Sequence, residues 1–147
     1  MRIATLLALV IPALIASGPP AALAAEASTT FDGLWDVTFT CPPHNESDDD
    51  DAKGYTRRFP AEIKDGLLRG VYGTEGQIGV QVLTGNVAPD GRADLRLEGI
   101  VSRPDYAINK AQAGKAFTYR VRARFDATSG SGQRLSTRKC DFQFSRR

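Results

Sequence analysis

The chain has 147 residues, 41% of them hydrophobic, 24% charged and 8% aromatic, with a formal net charge of +2. That length suits one domain, and the composition excludes a collagen-like or low-complexity chain, a multi-span membrane protein and a strongly basic nucleic-acid binder. Two cysteines and one histidine exclude a dense disulfide scaffold and any Cys₄ or multi-histidine zinc centre.

Arg2, an apolar run over 4–17, a break at Gly18-Pro19-Pro20 and the small-x-small site Ala22-Leu23-Ala24 make the pattern of a secretory signal peptide. The run is shorter than the roughly 20 apolar residues of a membrane span. Residues 1–24 are therefore expected to be removed, leaving 25–147 as one β-barrel-like domain without a membrane span. The expected location is periplasmic or secreted, where disulfides persist.

Beyond that segment, period-two alternation dominates. Trp35, Val37, Phe39 and Cys41 alternate with Asp36, Thr38 and Thr40 in a first strand. Tyr55, Arg57, Phe59 and Ala61 outline a second, and Pro60 predicts that it is an edge strand or bulged. Residues 67–74 and 77–83 pair through a turn near Glu75-Gly76. Leu95, Leu97 and Val101 follow the turn Pro89-Asp90-Gly91. The one helical pattern covers 104–113 and is closed by Gly114. Phe117, Tyr119, Val121, Ala123 and Phe125 alternate with Thr118 and three arginines in the clearest strand. Residues 130–132 are expected to be a flexible turn, 135–145 the last strand, and the polar segment 44–53 a solvated loop. The fold class is all-β, with seven to eight antiparallel strands in a barrel or sandwich.

Exported proteins rarely keep two free thiols, so Cys41 and Cys140 are expected to pair. A disulfide usually holds its Cα atoms roughly 4.4–6.8 Å apart. The first and last strands must then lie side by side or face each other across the core.

Phe31-Asp32-Gly33-Leu34-Trp35, Cys41, Gly130-Ser131-Gly132, Cys140 and Arg146-Arg147 resemble the two ends of small exported β-proteins of Gram-negative bacteria. The resemblance implies a periplasmic β-domain and carries no established activity. Gly33-x-Trp35 on a first strand also resembles the G-x-W of calycin barrels such as lipocalins and avidins. That likeness implies a basic residue of the last strand packed over the tryptophan, a role open to Arg138 or Arg146. Trp35 itself is expected to be a barrel-end core residue.

The chemistry-bearing residues argue mostly by exclusion. A catalytic triad would have to use His44, and the cysteines are committed to the bridge. Asp32 and Asp36, like Asp94 and Glu98, stand four apart, about 13 Å along a strand, too far for a glycosidase pair. The chain is therefore read as a non-enzyme with no cofactor. The run 48–51 invites a cation site at Asp49 and Asp51, helped by Glu46, but Lys53 and Pro60 occupy positions where an EF-hand needs oxygen ligands.

The most functional-looking feature is the row Arg120, Arg122 and Arg124 on one strand face, spaced by about 7 Å. Guanidinium forks suit phosphate, sulfate or carboxylate groups. The row is the candidate site for an anionic ligand or an acidic protein surface, with Arg138 and Lys139 as extensions. It lacks interleaved aromatics, so nucleic acid is not expected. Residues 26–102 carry 7 basic and 14 acidic groups, a net −7, whereas 103–147 carry 11 and 3, a net +8. The leading expectation is an exported non-catalytic binding or structural domain. Alternatives are an inhibitor that plugs a protease or lysozyme cleft with residues 42–54 or 102–116, and a calycin-like carrier of a small ligand.

Overall fold

The computed structural model describes residues 29–45 and 51–147. The expected signal peptide, Glu46 and Asp49 lie outside the described residues. Alternating burial resolves into eight strands: β1 (Gly33–Cys41), β2 (Tyr55–Lys64), β3 (Leu67–Tyr72), β4 (Gln81–Val87), β5 (Arg92–Ile100), β6 (Ala116–Phe125), β7 (Ser129–Arg134) and β8 (Asp141–Arg146). Each pairs antiparallel with the next, and β8 returns to β1 with Val37 opposite Phe144 and Phe39 opposite Phe142. The result is a closed up-and-down barrel, and closure leaves no strand with one edge unpaired along its whole length. The Cys41–Cys140 disulfide forms as expected, with Cα atoms 4.2 Å apart, and staples the end of β1 to the residue preceding β8.

The interior is a continuous apolar core from Phe31 to Phe144. Phe39 stacks on Phe142 at 5.0 Å, and Phe125 meets Phe144 at 4.6 Å. Aromatic rings on the inward positions of β1, β6 and β8 need room, and β7 provides it. Gly132 faces inward, where a Cβ would come within 2.7 Å of the Ala123 Cβ and 2.9 Å of the Arg122 carbonyl.

That requirement explains the main departure from expectation. Residues 130–132 are not a turn but the middle of β7, and the expected last strand over 135–145 divides into the loop 135–140 and β8. An alternation of Ser with Gly carries no hydrophobic signal, although its period is that of a strand. Residues 77–80 likewise belong to the β3–β4 connection rather than to β4.

Residues 104–113 form no α-helix. They make two 3₁₀ turns, Pro104–Tyr106 and Ile108–Lys110, interrupted by Asn109 at φ 55° and Lys110 at φ 45°. Neither turn has a buried residue, so no apolar face holds a helix there. Pro60 is not on an edge strand, because β2 is paired with β1 along its length and Pro60 faces Asp36. It stands one residue beyond the last β2–β3 pair, Ala61 with Gly70, where the strand is free on one side. The segment 44–53 is not uniformly solvated either: His44 and Ala52 are buried and bridge each other through two 2.9 Å backbone hydrogen bonds.

One end of the barrel is plugged. Gly33, at φ 137°, turns the chain into β1 in a region closed to residues with a Cβ. The Trp35 indole nitrogen then donates to the Phe31 carbonyl at 2.9 Å, and the Phe125 ring abuts the indole edge-on at 5.2 Å. Of the two basic residues considered for packing over Trp35, Arg146 takes the place: its guanidinium lies 5.7 Å from the ring and donates to the Asp32 and Ala127 carbonyls. The Asp32 carboxylate accepts from Asp65 N at 2.8 Å and Gly66 N at 3.1 Å, fixing the β2–β3 turn over this end.

Candidate ligand site at the barrel mouth

The opposite end carries the longer connections, over 42–54, 73–80, 101–115 and 135–140. Strand alternation brings polar residues inward here. Tyr55 and Arg57 of β2 share the inward face with Phe59 and Ala61, Gln81 of β4 shares it with Leu83, and Tyr119 of β6 with Val121. Arg134 occupies the same inward register of β7 as Gly132. Together with Arg138 they surround a cavity of about 150 Å³. The strap between β5 and β6 covers it, contributing Tyr106 and Ile108 to the lining.

Arg138 is the clamp of this end. It is only 2% exposed, and it donates to the Pro42 carbonyl at 2.9 and 2.5 Å, to Lys53 O at 2.7 Å and to Tyr106 O at 2.9 Å. One guanidinium thus joins the β1–β2 loop, the strap and the β7–β8 loop, next to the disulfide. Lys53 adds a backbone bond to Asp105 O at 2.7 Å and an ion pair to its carboxylate at 3.3 Å.

The other two arginines lie against aromatic faces. Arg57 sits between the rings of Tyr55 and Tyr72, at 5.0 and 4.9 Å. Arg134 lies 4.1 Å from the Tyr119 ring centre, and Arg138 lies 5.2 Å from that of Tyr55. Such stacking holds a cation in place without cancelling its charge. Among the described residues, none of Arg57, Arg134 and Arg138 is paired with a carboxylate; the ion pairs lie on the outside of the barrel. Burial pulls Arg134 and Arg138 below the ordinary arginine range and pushes Tyr55 and Tyr119 above the ordinary tyrosine range. At neutral pH the mouth is a ring of guanidinium charge and neutral phenols, in a site partly shielded from water. That arrangement can receive an anion.

The arginine row singled out in the sequence is elsewhere. Arg120, Arg122 and Arg124 point outward from β6 and are exposed. Arg120 meets Asp94 of β5 at 3.6 Å, with both side chains about two-thirds exposed (68% and 70%). Arg122 is in register with Asp94, and Arg124 with Arg92. The acidic and basic halves of the chain thus mix at this face, as they do where Arg147 pairs with Asp36 at 2.5 Å. Arg138 does not extend the row, because it is buried at the mouth. Asp51 is exposed, and no group of three or more His, Cys, Asp or Glu is placed to hold a metal among the described residues.

Sequence reading missed Gln81, Tyr119, Arg57 and Arg134 as site residues. For Arg57 a signal existed, since it is a lone cation on the apolar face of a strand. Tyr119 gave none, being indistinguishable from a core aromatic, and Arg134 was hidden with β7. No protein-family model, curated protein or solved structure matches the chain.

Proposed function

We propose that the protein is a non-catalytic binding barrel that holds a small anionic molecule at its mouth, acting outside the cytoplasm. The observation that carries this reading is the convergence of Arg57, Arg134 and Arg138 on one tyrosine-lined cavity with no carboxylate among them. Buried like charges repel, and a protein that keeps three together without counter-charges gains most from an anion. The plugged opposite end supports a small-ligand carrier as well, because Arg146 over Trp35 is the arrangement that the calycin resemblance implies. The two ends of the connection 42–54, at Pro42 and Lys53, and the strap at Asp105 and Tyr106 are tied together over the mouth, which favours this over an inhibitor. The disulfide is compatible with an extracytoplasmic location, as is the finding that no described helix is long and apolar enough to cross a membrane.

The test is calorimetric titration of the disulfide-bonded protein with small carboxylates and inorganic phosphate, beside Arg57→Met and Arg134→Met variants. Each variant should weaken anion binding about tenfold or more, the scale of a lost charge-assisted hydrogen bond. Absence of heat with every anion, or binding indifferent to both substitutions, refutes the proposal.

A further inference from the structure

We infer that the mouth selects a single-ring aromatic carboxylate with a hydrogen-bond donor on the ring, an inference that rests on the anion-binding reading above. Its basis is a separate observation: Arg57 Nε, Gln81 Oε1 and the Tyr119 hydroxyl are buried without a hydrogen-bond partner, and all three residues line this one cavity. Gln81 and Tyr119 are each only 7% exposed. Buried polar groups are ordinarily satisfied, and each exception costs stability. Three exceptions gathered around one cavity mark a place that a ligand completes.

Their chemistry describes that ligand. Arg57 Nε can only donate, and it carries charge. The Tyr119 hydroxyl, kept neutral by burial, has a proton to donate beside it. Two donors in a positive field call for a pair of acceptor oxygens with negative charge, which is a carboxylate. Gln81 Oε1 can only accept, so the ligand needs an O–H or N–H away from its carboxylate.

Between these groups the walls are apolar, formed by Phe117, Ile100, Val101 and Ile108 together with the tyrosine faces. An apolar cavity of about 150 Å³ accommodates benzene, and this cavity has that volume. Nothing longer fits beneath, because Phe39, Phe59, Leu97 and Phe142 close the barrel below the mouth. An inorganic anion would satisfy the donors and leave the apolar walls and Gln81 unused.

The experiment is calorimetric titration of the full disulfide-bonded protein with 4-hydroxybenzoate, benzoate, inorganic phosphate and decanoate. The expected order places 4-hydroxybenzoate about tenfold tighter than benzoate, and phosphate and decanoate at least about tenfold weaker still. Gln81→Leu should abolish the preference of 4-hydroxybenzoate over benzoate, and Tyr119→Phe should weaken both about equally. Tyr119→Phe deletes a buried unsatisfied hydroxyl and should melt no lower than the parent protein; Gln81→Leu also removes the amide bonded to Tyr55, so its fold is checked by benzoate binding, which should stay at the parent's level. Phosphate or decanoate binding as tightly as 4-hydroxybenzoate would overturn the selectivity and leave anion binding standing. A preference that survives Gln81→Leu would overturn the role of that residue, and silence with all four probes would overturn both readings.

Discussion

The disulfide gives the sharpest quantitative test of the fold. Cys41 and Cys140 are 99 residues apart in sequence, so the bridge encloses nearly the whole described barrel. In the chain-entropy account, a closed loop of about 100 residues removes about 4.7 kcal/mol of freedom from the unfolded state. Small domains hold only about 5–15 kcal/mol in total, so the bridge is comparable with everything else that keeps the barrel folded. With a urea slope of about 2 kcal/mol per molar, its loss should lower the unfolding midpoint by about 2 M. The assay is urea unfolding followed by Trp35 fluorescence, with the protein oxidised, reduced, and as a Cys41→Ala/Cys140→Ala variant. Both thiols would remain buried after reduction, Cys41 being 1% and Cys140 0% exposed, so reduction changes the unfolded state far more than the packing. The reduced protein and the double variant should therefore fall by similar amounts. A reduced protein whose midpoint moves by less than about 0.5 M at unchanged slope refutes the loop argument; a large loss in the double variant alone would assign the effect to packing.

Three further outcomes are expected. Gly132→Ala forces a Cβ to within 2.7 Å of Ala123 Cβ and should cost about 1–3 kcal/mol by overpacking; Ala123→Gly in the same chain should recover part of it, and failure of that rescue in urea unfolding would assign the cost to the Arg122 carbonyl, 2.9 Å from the new Cβ. Burial raises Tyr55 and Tyr119 above their ordinary 10.0, so the unfolded chain releases those protons first: stability is intact below pH 10 and falls above it, by up to about 1.4 kcal/mol per pH unit for each tyrosine. Urea midpoints from pH 9 to 11.5 should show that decline and Tyr119→Phe should flatten it; an equal slope in the variant would refute the assignment. Replacing Arg120, Arg122 and Arg124 together with alanine should leave binding at the mouth unchanged while reducing salt-sensitive retention on heparin, and a loss of small-carboxylate binding in that variant would move the site to the outer face.

Much of the barrel is legible in the sequence because its interior is written in alternation. Trp35 to Cys41 and Phe117 to Phe125 read as strands since every second residue is apolar, and the two cysteines require first and last strands to meet. The strand β7 is illegible for the complementary reason. Its inward residues before Arg134 are Gly130 and Gly132, present because the Phe125 ring and Ala123 of β6 take up the space, so the evidence for that strand lies in another strand. The site was misplaced by the same physics. Three arginines in alternation are conspicuous at β6, yet alternation places them on the face opposite Phe117, Tyr119 and Val121, and therefore in solvent. Arg57, on the same face as Phe59, is the residue that alternation sends inward.

The two ends of the barrel divide the work between folding and binding. At the plugged end every conspicuous polar group is answered from within the chain: the Trp35 indole by Phe31, the Arg146 guanidinium by Asp32 and Ala127, the Asp32 carboxylate by two backbone amides. At the mouth Arg138 is so answered, by carbonyls of the connections that frame the cavity, and Arg134 Nε donates to the Ser136 hydroxyl. Arg57, Gln81 and Tyr119 are left with an unmatched buried atom each, and every such atom costs stability. A barrel that satisfies its polar groups at one end and leaves them open around a single cavity at the other has its binding site at the open end, and the cost in stability is offset when the ligand arrives.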